Sequence, residues 1–315
     1  MKRLENRWRE ISAHPESSQF QRIDESHPLD FYIGREASGN WMLLLITQER
    51  TRFHMETHAI HVFCQRRGDE RWAVMFRLMK PDLEKLFSLV CEDLIESSRS
   101  NPNPSHPASF VLARFKRWQR MLEKDGSGLL NDAALRGLAG ELLFLEMRVL
   151  PERGGRQAMD GWCGPLGADR DFCFPDREFE VKTVHDGADR ILVSSAEQLD
   201  PASKPVDLGI VVLDDVPPGA LPDAFTIIDL VNRLRQTLAD DPTALEMFDL
   251  KLIDAGLVLC EDYAERAFIL YNIRIFNVTD SFPAIRRSSL PFGVGNVRWE
   301  LVIQSILPFE VITTR

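Results

Sequence analysis

The stretch 169–183, which reads DRDFCFPDREFEVKT, decides how the middle of the chain folds. Near its end charged and apolar side chains alternate, as in a strand with one wet and one buried face, so Glu180 and Lys182 point the same way. Asp171 begins an apolar run that the turn-forming residues 175–177 separate from this strand, which predicts a hairpin. Two carboxylates and an ammonium group at one end of a sheet indicate a magnesium site for phosphodiester chemistry.

The composition is that of an ordinary soluble protein and limits the classes of partner. A chain of 315 residues is long enough for two or three domains. Its formal charge of -10 argues against a surface that attracts nucleic acid as a whole, so DNA would have to meet a local basic patch. Five cysteines, without a CxxC pair or a secretory signal, predict a cytoplasmic protein. The apolar runs are too short to span a bilayer, so no membrane partner is expected.

The N-terminal third predicts a small antiparallel sheet with a helix packed on it. Strand-like apolar runs at 41–46, 60–64 and 72–78 are joined by polar turns and predict a meander. A helical apolar period from 81 to 97 follows them. Residues 1–30 predict a short helix and then an irregular segment.

Three histidines of this region raise a metal-site hypothesis. His54 and His58 are four residues apart, which would suit a metal on a helix, and His61 follows them. Because the flanking residues predict strand and turn, and no cysteine or carboxylate completes a ligand set, ordinary surface histidines are preferred. A small-molecule enzyme that uses these histidines with zinc is therefore the last-ranked function.

The segment SSRSNPNPSHP at 97–107 predicts a linker, since it is rich in Ser, Asn and Pro and lacks periodicity. We therefore divide the chain into an N-terminal α+β domain at 1–105, a core domain at 106–215 and a C-terminal α+β extension at 216–315. Residues 110–124 predict an amphipathic helix, for which a solvated basic face is at least as good an interpretation as a phosphate-contacting one. The basic residues of that helix are Arg114, Lys116, Arg117 and Arg120.

A further helix, from residue 131 or 132 to about 150, carries a carboxylate within its apolar stripe. This carboxylate, Glu141, cannot turn fully to solvent, so it lies at the edge of the buried stripe or is held for function. Gly137 and Gly140 weaken the helix unless something approaches it closely. After Lys182, the serines at 194–195 can cap a short helix, and a buried strand follows at 207–213.

Together these elements resemble the PD-(D/E)xK nuclease superfamily, and more closely a bacterial group of PD-(D/E)xK motif proteins that occurs beside restriction and phage-defence genes. The resemblance covers roughly 130–213 and implies a restriction-endonuclease-like αβββαβ core, a mixed sheet flanked by helices. Four fragments in this order carry it: GLAGELL at 137–143, Asp171-Phe172, Glu180-Val181-Lys182-Thr183, and Ser194-Ser195 with Gln198-Leu199.

The literal Pro175-Asp176 pair is a decoy for the family motif. Only three residues separate Asp176 from Glu180, too few to complete one strand and start another. The motif aspartate is therefore Asp171, which Arg170 precedes instead of proline. An ExK strand by itself would be a weak surface ion pair.

The resemblance implies a metal-dependent endonuclease that hydrolyses DNA. Asp171 and Glu180, helped by the backbone carbonyl of Val181, would hold Mg²⁺, for which Mn²⁺ can substitute. Glu141 would support a second ion or a metal-bound water. Lys182 would position and help deprotonate the attacking water. Gln198, with Ser194 or Ser195, would orient the lysine, the water or the substrate.

The alternative function is a catalytically silent nuclease-fold subunit that binds DNA or assembles a defence complex. The intact acidic residues and lysine favour the enzyme. Expected partners are DNA and other restriction or defence proteins, and a homodimer is one way to make a double-strand break. The downstream arginines are each treated as solvated: Arg274, Arg286, Arg287 and Arg298.

Overall fold

The computed structural model describes residues 4–11, 18–50, 53–56, 59–99, 106–125, 130–201 and 204–311. The chain folds as two compact units, Met1–Gly128 and Leu129–Arg315. This division differs from the three expected domains. The first helix of the expected core belongs to the N-terminal unit, and the expected C-terminal extension folds together with the rest of the core.

The described residues of the N-terminal unit form a six-stranded antiparallel sheet in the order β1-β2-β3-β6-β5-β4. Its strands are β1 (Gln19–Arg22), β2 (Asp30–Arg35), β3 (Trp41–Thr47), β4 (His54–Glu56), β5 (Ile60–Arg66) and β6 (Trp72–Leu78). The predicted antiparallel sheet is confirmed, but the meander is wrong because β6 lies between β3 and β5. Every residue of β3 is buried, which suits a central strand, and β1 forms within the segment expected to be irregular.

Helices pack within the same unit. They are α1 (Leu4–Glu10), α2 (Glu84–Arg99), which a 3-10 turn at Pro81–Leu83 precedes, and α3 (Pro107–Asp125). The predicted helices at the N-terminus, at 81–97 and at 110–124 are thereby confirmed. Pro81 and Pro107 lie in first turns, where the missing N–H of proline costs no hydrogen bond.

The basic face expected on α3 is in part a packing face. Arg114 is buried and its Nε donates to Asp93 Oδ2 of α2 at 2.7 Å. Trp118 Nε1 donates to the same carboxylate oxygen at 2.7 Å. Lys116 lies over an aromatic ring, and the side chain of Arg120 falls outside the described part. Because Asp93 joins α3 to α2, the helix belongs to the N-terminal unit and not to the core.

The histidines considered as metal ligands lie in the strands of this unit. His54 begins β4, and His61 lies in β5, where its ring packs 4.9 Å from that of Phe63. His58 falls outside the described residues. The helical spacing behind the metal hypothesis therefore does not apply to the backbone at His54.

The C-terminal unit is built on a mixed sheet in the order β11-β12-β10-β8-β7, with β14 paired to β12. Strands β8 and β10 are parallel, whereas the other pairs are antiparallel. This mixed sheet with its helices confirms the predicted fold class. The elements in chain order are α4 (Asp132–Phe144), α5 (Leu150–Gly161), β7 (Phe172–Cys173), β8 (Glu178–Val184), β9 (Arg190–Val193), β10 (Val206–Val216), β11 (Phe225–Thr226), α6 (Ile227–Thr237), α7 (Pro242–Asp254), β12 (Ala267–Asn277), β13 (Trp299–Val302), α8 (Ile303–Ile306) and β14 (Glu310–Val311).

Some elements of this unit depart from the αβββαβ expectation. β9 leaves the mixed sheet and pairs with β13, since its buried Ile191 and Val193 join an apolar cluster with Leu301. The helix expected after β9 is a 3-10 turn at Ala196–Leu199. Upstream of β7, a single bridge joins Trp162 to the first residue of that strand, in place of a full strand.

Helix α4 continues further than the sequence predicts. A π-helical turn at Leu145–Val149 connects it to α5, so helical structure reaches Gly161 instead of ending near residue 150. Gly154, with a φ of 72°, marks a kink inside α5. The segment 154–167, whose glycines and Gly164-Pro165 predict a loop, is therefore helical as far as Gly161.

Two glycines allow α4 to approach the sheet. A Cβ on Gly140 would lie 1.9 Å from Thr183 Oγ1 of β8, and a Cβ on Gly209 of β10 would lie 2.7 Å from the ring of Phe144. No described atom lies within 4 Å of the corresponding position on Gly137. The expected close approach thus exists at Gly140, and it places the next residue of the helix, Glu141, close to β8.

Downstream, the apolar spacing of the sequence predicts helices at 223–240 and 243–250 and strands at 257–259, 268–278 and 299–306. The two helices and the strand at 268–278 are confirmed as α6, α7 and β12. No strand forms at 257–259, and the strand expected at 299–306 ends at Val302, where α8 begins. No helix in the described part of the chain combines the length and hydropathy that crossing a membrane requires.

Candidate active site

The predicted hairpin forms from β7 and β8. Its strands pair antiparallel, with Phe172 opposite Phe179, and Phe174 N donates to Arg177 O at 2.9 Å across the turn. Asp171 comes directly before β7, and its Oδ2 accepts a hydrogen bond from the backbone N–H of Val181 at 2.7 Å. This bond fixes the aspartate against the middle of β8.

The carboxylate of the literal motif lies elsewhere. Asp176 is at the hairpin turn, with a half-exposed side chain, and Arg153 Nη2 donates to it at 2.7 Å. Asp171, in contrast, acts electrostatically on both Glu141 and Glu180. The hairpin therefore brings Asp171, and not Asp176, to the other predicted carboxylates.

Strand β8 presents Glu180 and Lys182 on one side, as the alternation predicts. Lys182 Nζ lies 2.6 Å from Glu180 Oε1 and donates to Gln198 Oε1 at 3.0 Å. That amide oxygen also accepts from Ser194 N at 2.8 Å, so Gln198 reaches back to the serine pair as expected. The side chain of Glu180 is 2% exposed and that of Lys182 is 17% exposed, so the two do not form a weak surface pair.

Glu141 projects from α4 toward Asp171. Trp162 Nε1 donates to Glu141 Oε2 at 3.0 Å. A Cβ built on Gly164 would lie 2.9 Å from this same oxygen and 2.9 Å from Asp171 Oδ1. The carboxylates of Glu141 and Asp171 therefore border one space, which the absence of a side chain at Gly164 leaves open.

A protein-family model described as "Putative PD-(D/E)XK family member" (DUF4420) matches residues 4–304. The chain belongs to this family. The match extends over both compact units, well beyond the region at 130–213 that carries the motif resemblance. No curated protein and no solved structure matches the chain.

The carboxylates of this PD-(D/E)XK family member are held in an environment that disfavours their charge. Burial, reinforced by the charge of Asp171, holds the pKa of Glu141 well above its ordinary value. Burial raises the pKa of Asp171 to about 6, although the Val181 N–H and the charge of Lys182 oppose the shift. Burial and the charge of Asp171 raise the pKa of Glu180 to about 8. A cation at this place would relieve that cost.

The donor set fits a hard divalent ion. Within the described residues, no group of three histidine, cysteine, aspartate or glutamate side chains is arranged as a ready-made ion site. Asp171 Oδ2 accepts a hydrogen bond from Val181 N, and Glu180 Oε1 pairs with Lys182, so one oxygen of each carboxylate is already engaged. Glu180 Oε2, however, is buried and has no hydrogen-bond partner in the described part. Buried carboxylate oxygens of this kind are the ligands that Mg²⁺ and Mn²⁺ prefer.

Sequence reasoning missed residues that support this PD-(D/E)XK site. Trp162 and Gly164 lie in a segment for which the sequence predicts only a loop. Trp162 donates a hydrogen bond to Glu141, and Gly164 borders the carboxylates of Glu141 and Asp171. Arg170 forms an ion pair with Glu178 and donates to the backbone carbonyl of Asp200, which ties the start of β7 to β8 and to the segment after the 3-10 turn. The sequence signal for the supporting residues was the presence of a tryptophan and a glycine, Trp162 and Gly164, shortly before the motif aspartate Asp171.

Proposed function

We propose that this protein is a metal-dependent endodeoxyribonuclease that hydrolyses DNA phosphodiester bonds in restriction or phage defence. One observation carries the proposal. Lys182 is held between Glu180 and Gln198 on the strand that also meets Asp171. Family membership supports a nuclease fold, and the defence role rests on the resemblance described above.

Asp171 and Glu180, with the backbone carbonyl of Val181, would hold Mg²⁺ or Mn²⁺. Glu141 would support a second ion. A bound divalent ion supplies a Lewis acid that neutralises charge on the phosphate and lowers the pKa of water. The Trp162 N–H donates to Glu141 Oε2, the oxygen that borders the space beside Asp171 Oδ1, and so fixes the orientation of this carboxylate toward that space.

Lys182 provides the cation of the protein itself. Gln198 Oε1 accepts from both Lys182 Nζ and Ser194 N, so the amide holds the ammonium group from a fixed point. An ammonium group in this position orients the attacking water and stabilises charge that develops on the phosphate oxygens. The water loses a proton as it attacks phosphorus in line, the phosphorus bond to the leaving oxygen breaks, that oxygen takes up a proton, and the phosphate stays on one side of the cut.

Plasmid DNA incubated with the purified protein and Mg²⁺ or Mn²⁺ tests the proposal. We expect nicked or linear product. We expect Lys182→Ala and Asp171→Ala to abolish it, with circular dichroism spectra that show a preserved fold. Asp176→Ala is the matched control, since this carboxylate belongs to the same hairpin but binds Arg153. A protein that binds DNA and never cuts it, with either metal and with partner proteins, would instead be the catalytically silent subunit.

A further inference from the structure

Most of the connection between β12 and β13, the part after Asp280 at 281–298, has an unusual charge for this chain. It contains Arg286, Arg287 and Arg298 and no aspartate or glutamate, in a protein with a formal charge of -10. Arg298 is exposed, and the side chain of Arg287 is 76% exposed. Arg286 and Arg287 face the carboxylates of Asp280 and Glu197, so within the described residues Arg298 is the cation of this segment without an ion pair, and it can meet a polyanion.

A tight turn at the tip of this segment displays an aromatic ring. Val294 N donates to Pro291 O at 3.1 Å, and Gly293 has a φ of 87°. A hydrogen bond from the fourth residue to the first, with a glycine of positive φ at the third position, is typical of a type II turn. Phe292 occupies the second position and is fully exposed (108%), and Val294 is half exposed. An aromatic side chain held wholly in water gains free energy when a partner covers it.

The segment is attached at both ends to the element that orients Lys182. Near its start, Arg287 Nη1 donates to Glu197 Oε1 at 2.8 Å, and Arg287 N donates to Asp200 Oδ2 at 3.0 Å. Directly after its end, Trp299 of β13 pairs with Val193 of β9, the residue before Ser194. The segment thus lies beside the 3-10 turn that carries Gln198.

We propose that this segment is a DNA-contacting element, in which Phe292 wedges between base steps of duplex DNA while Arg298 contacts the phosphates beside it. Exposed apolar side chains of this kind enter base steps from the minor groove, and arginines position the backbone without reading sequence. The absence of carboxylates from 281–298 favours a nucleic acid over an apolar protein surface. The inference rests on the proposed nuclease function and names how its substrate is held.

The test is binding of duplex DNA that contains 2-aminopurine, a base whose fluorescence rises when it is unstacked. The parent is Lys182→Ala, which keeps the DNA intact, in the presence of Ca²⁺. We expect fluorescence to rise on binding. Phe292→Ala should abolish the rise and weaken binding about tenfold, since stacking of an aromatic ring on a base is lost. Phe292→Trp should restore both, and Tyr271→Ala, which removes a half-exposed aromatic ring on β12, should change neither.

A second variant tests the phosphate contacts. Arg298→Gln should lower the slope of log Kd against log salt concentration by about 1, because one fewer counterion is released. An unchanged slope would remove Arg298 from the interface. A Phe292→Ala variant that unstacks DNA as well as its parent overturns the wedge, while cutting by the wild-type protein keeps the nuclease proposal. A wild-type protein that neither binds nor cuts DNA overturns both proposals.

Discussion

Asp171 Oδ2 accepts the backbone N–H of Val181 at 2.7 Å, so the motif aspartate is anchored to the strand that carries the motif glutamate and lysine. The anchor leaves Asp171 Oδ1 facing the space beside Gly164 and Glu141. One oxygen of the carboxylate is thus structural and the other is free for chemistry. The hairpin thereby fixes the orientation of the acidic group as well as its position.

Gly164 is expected to be necessary for metal binding. In Gly164→Ala the new Cβ would meet Asp171 Oδ1 and Glu141 Oε2 at 2.9 Å, so at least one carboxylate must move. We expect Mn²⁺ affinity, measured by isothermal titration calorimetry, to fall about tenfold or more, as misplaced ligands lose coordination. Plasmid cleavage should fall in parallel. Unchanged Mn²⁺ affinity in a folded variant would place the ion away from Gly164.

Two glycines of α4 offer a matched pair for stability. Gly140→Ala should lower the free energy of unfolding by about 1–3 kcal/mol, because its Cβ would overlap Thr183 Oγ1. Gly137→Ala, where no described atom is near, should raise it by about 0.5–1 kcal/mol through helix propensity. Urea denaturation followed by circular dichroism measures both. Equal effects of the two substitutions would contradict the close contact of α4 with β8.

The metal-free protein should lose stability as pH rises. Burial raises the folded pKa of Asp171 to about 6 and that of Glu180 to about 8, from ordinary values of 3.8 and 4.5. The folded state therefore binds more protons than the unfolded state between these values, so this contribution is full below about pH 4 and is lost as pH rises toward about 8. Urea denaturation in EDTA across this window should show the decline.

Glu180→Gln is the control for that titration. It removes the charge that burial disfavours, so the decline with pH should become shallower. Added Mg²⁺ should restore stability to the wild-type protein at pH 8 by binding the folded state, and should do so less for the variant. A wild-type stability that increases with pH in EDTA would show that these carboxylates are solvated.

Arg114 should matter for the stability of the N-terminal unit. Arg114→Ala leaves the Asp93 carboxylate without its guanidinium partner, and we expect a loss of about 3 kcal/mol in the free energy of unfolding. Arg66→Ala is the control, because its pair with Glu70 spans 3.5 Å and both side chains are largely exposed. That change should stay within about 0.5 kcal/mol. An equally small effect of Arg114→Ala would show that Arg114 belongs to a solvated face and does not hold α3 against α2.

What the sequence predicts well is local. The alternation around Glu180 and the turn at 175–177 depend on near neighbours, and the hairpin follows from them. The fold class could likewise be inferred from the order of elements. Pairings between distant segments could not, since the period of β9 is compatible with the mixed sheet and with β13 alike, and the structure pairs it with β13 more than a hundred residues away.

The residues that support the site could not be predicted from the sequence for the same reason. The neighbours of Trp162 and Gly164 along the chain predict only a turn. Their partner Glu141 lies on another element, more than twenty residues earlier in the chain. The helical alternation around Arg114 indicates a charged face and gives no sign that Asp93 of α2 lies opposite. Contacts made across the fold are thus visible only in the structure.

The pairing of β9 with β13 has a consequence for biosynthesis. Lys182 and its acidic neighbours leave the ribosome early, but the strand that precedes Ser194 finds its partner only when residues 299–302 have emerged. A growing chain therefore carries the charged groups before it can complete the support of Gln198.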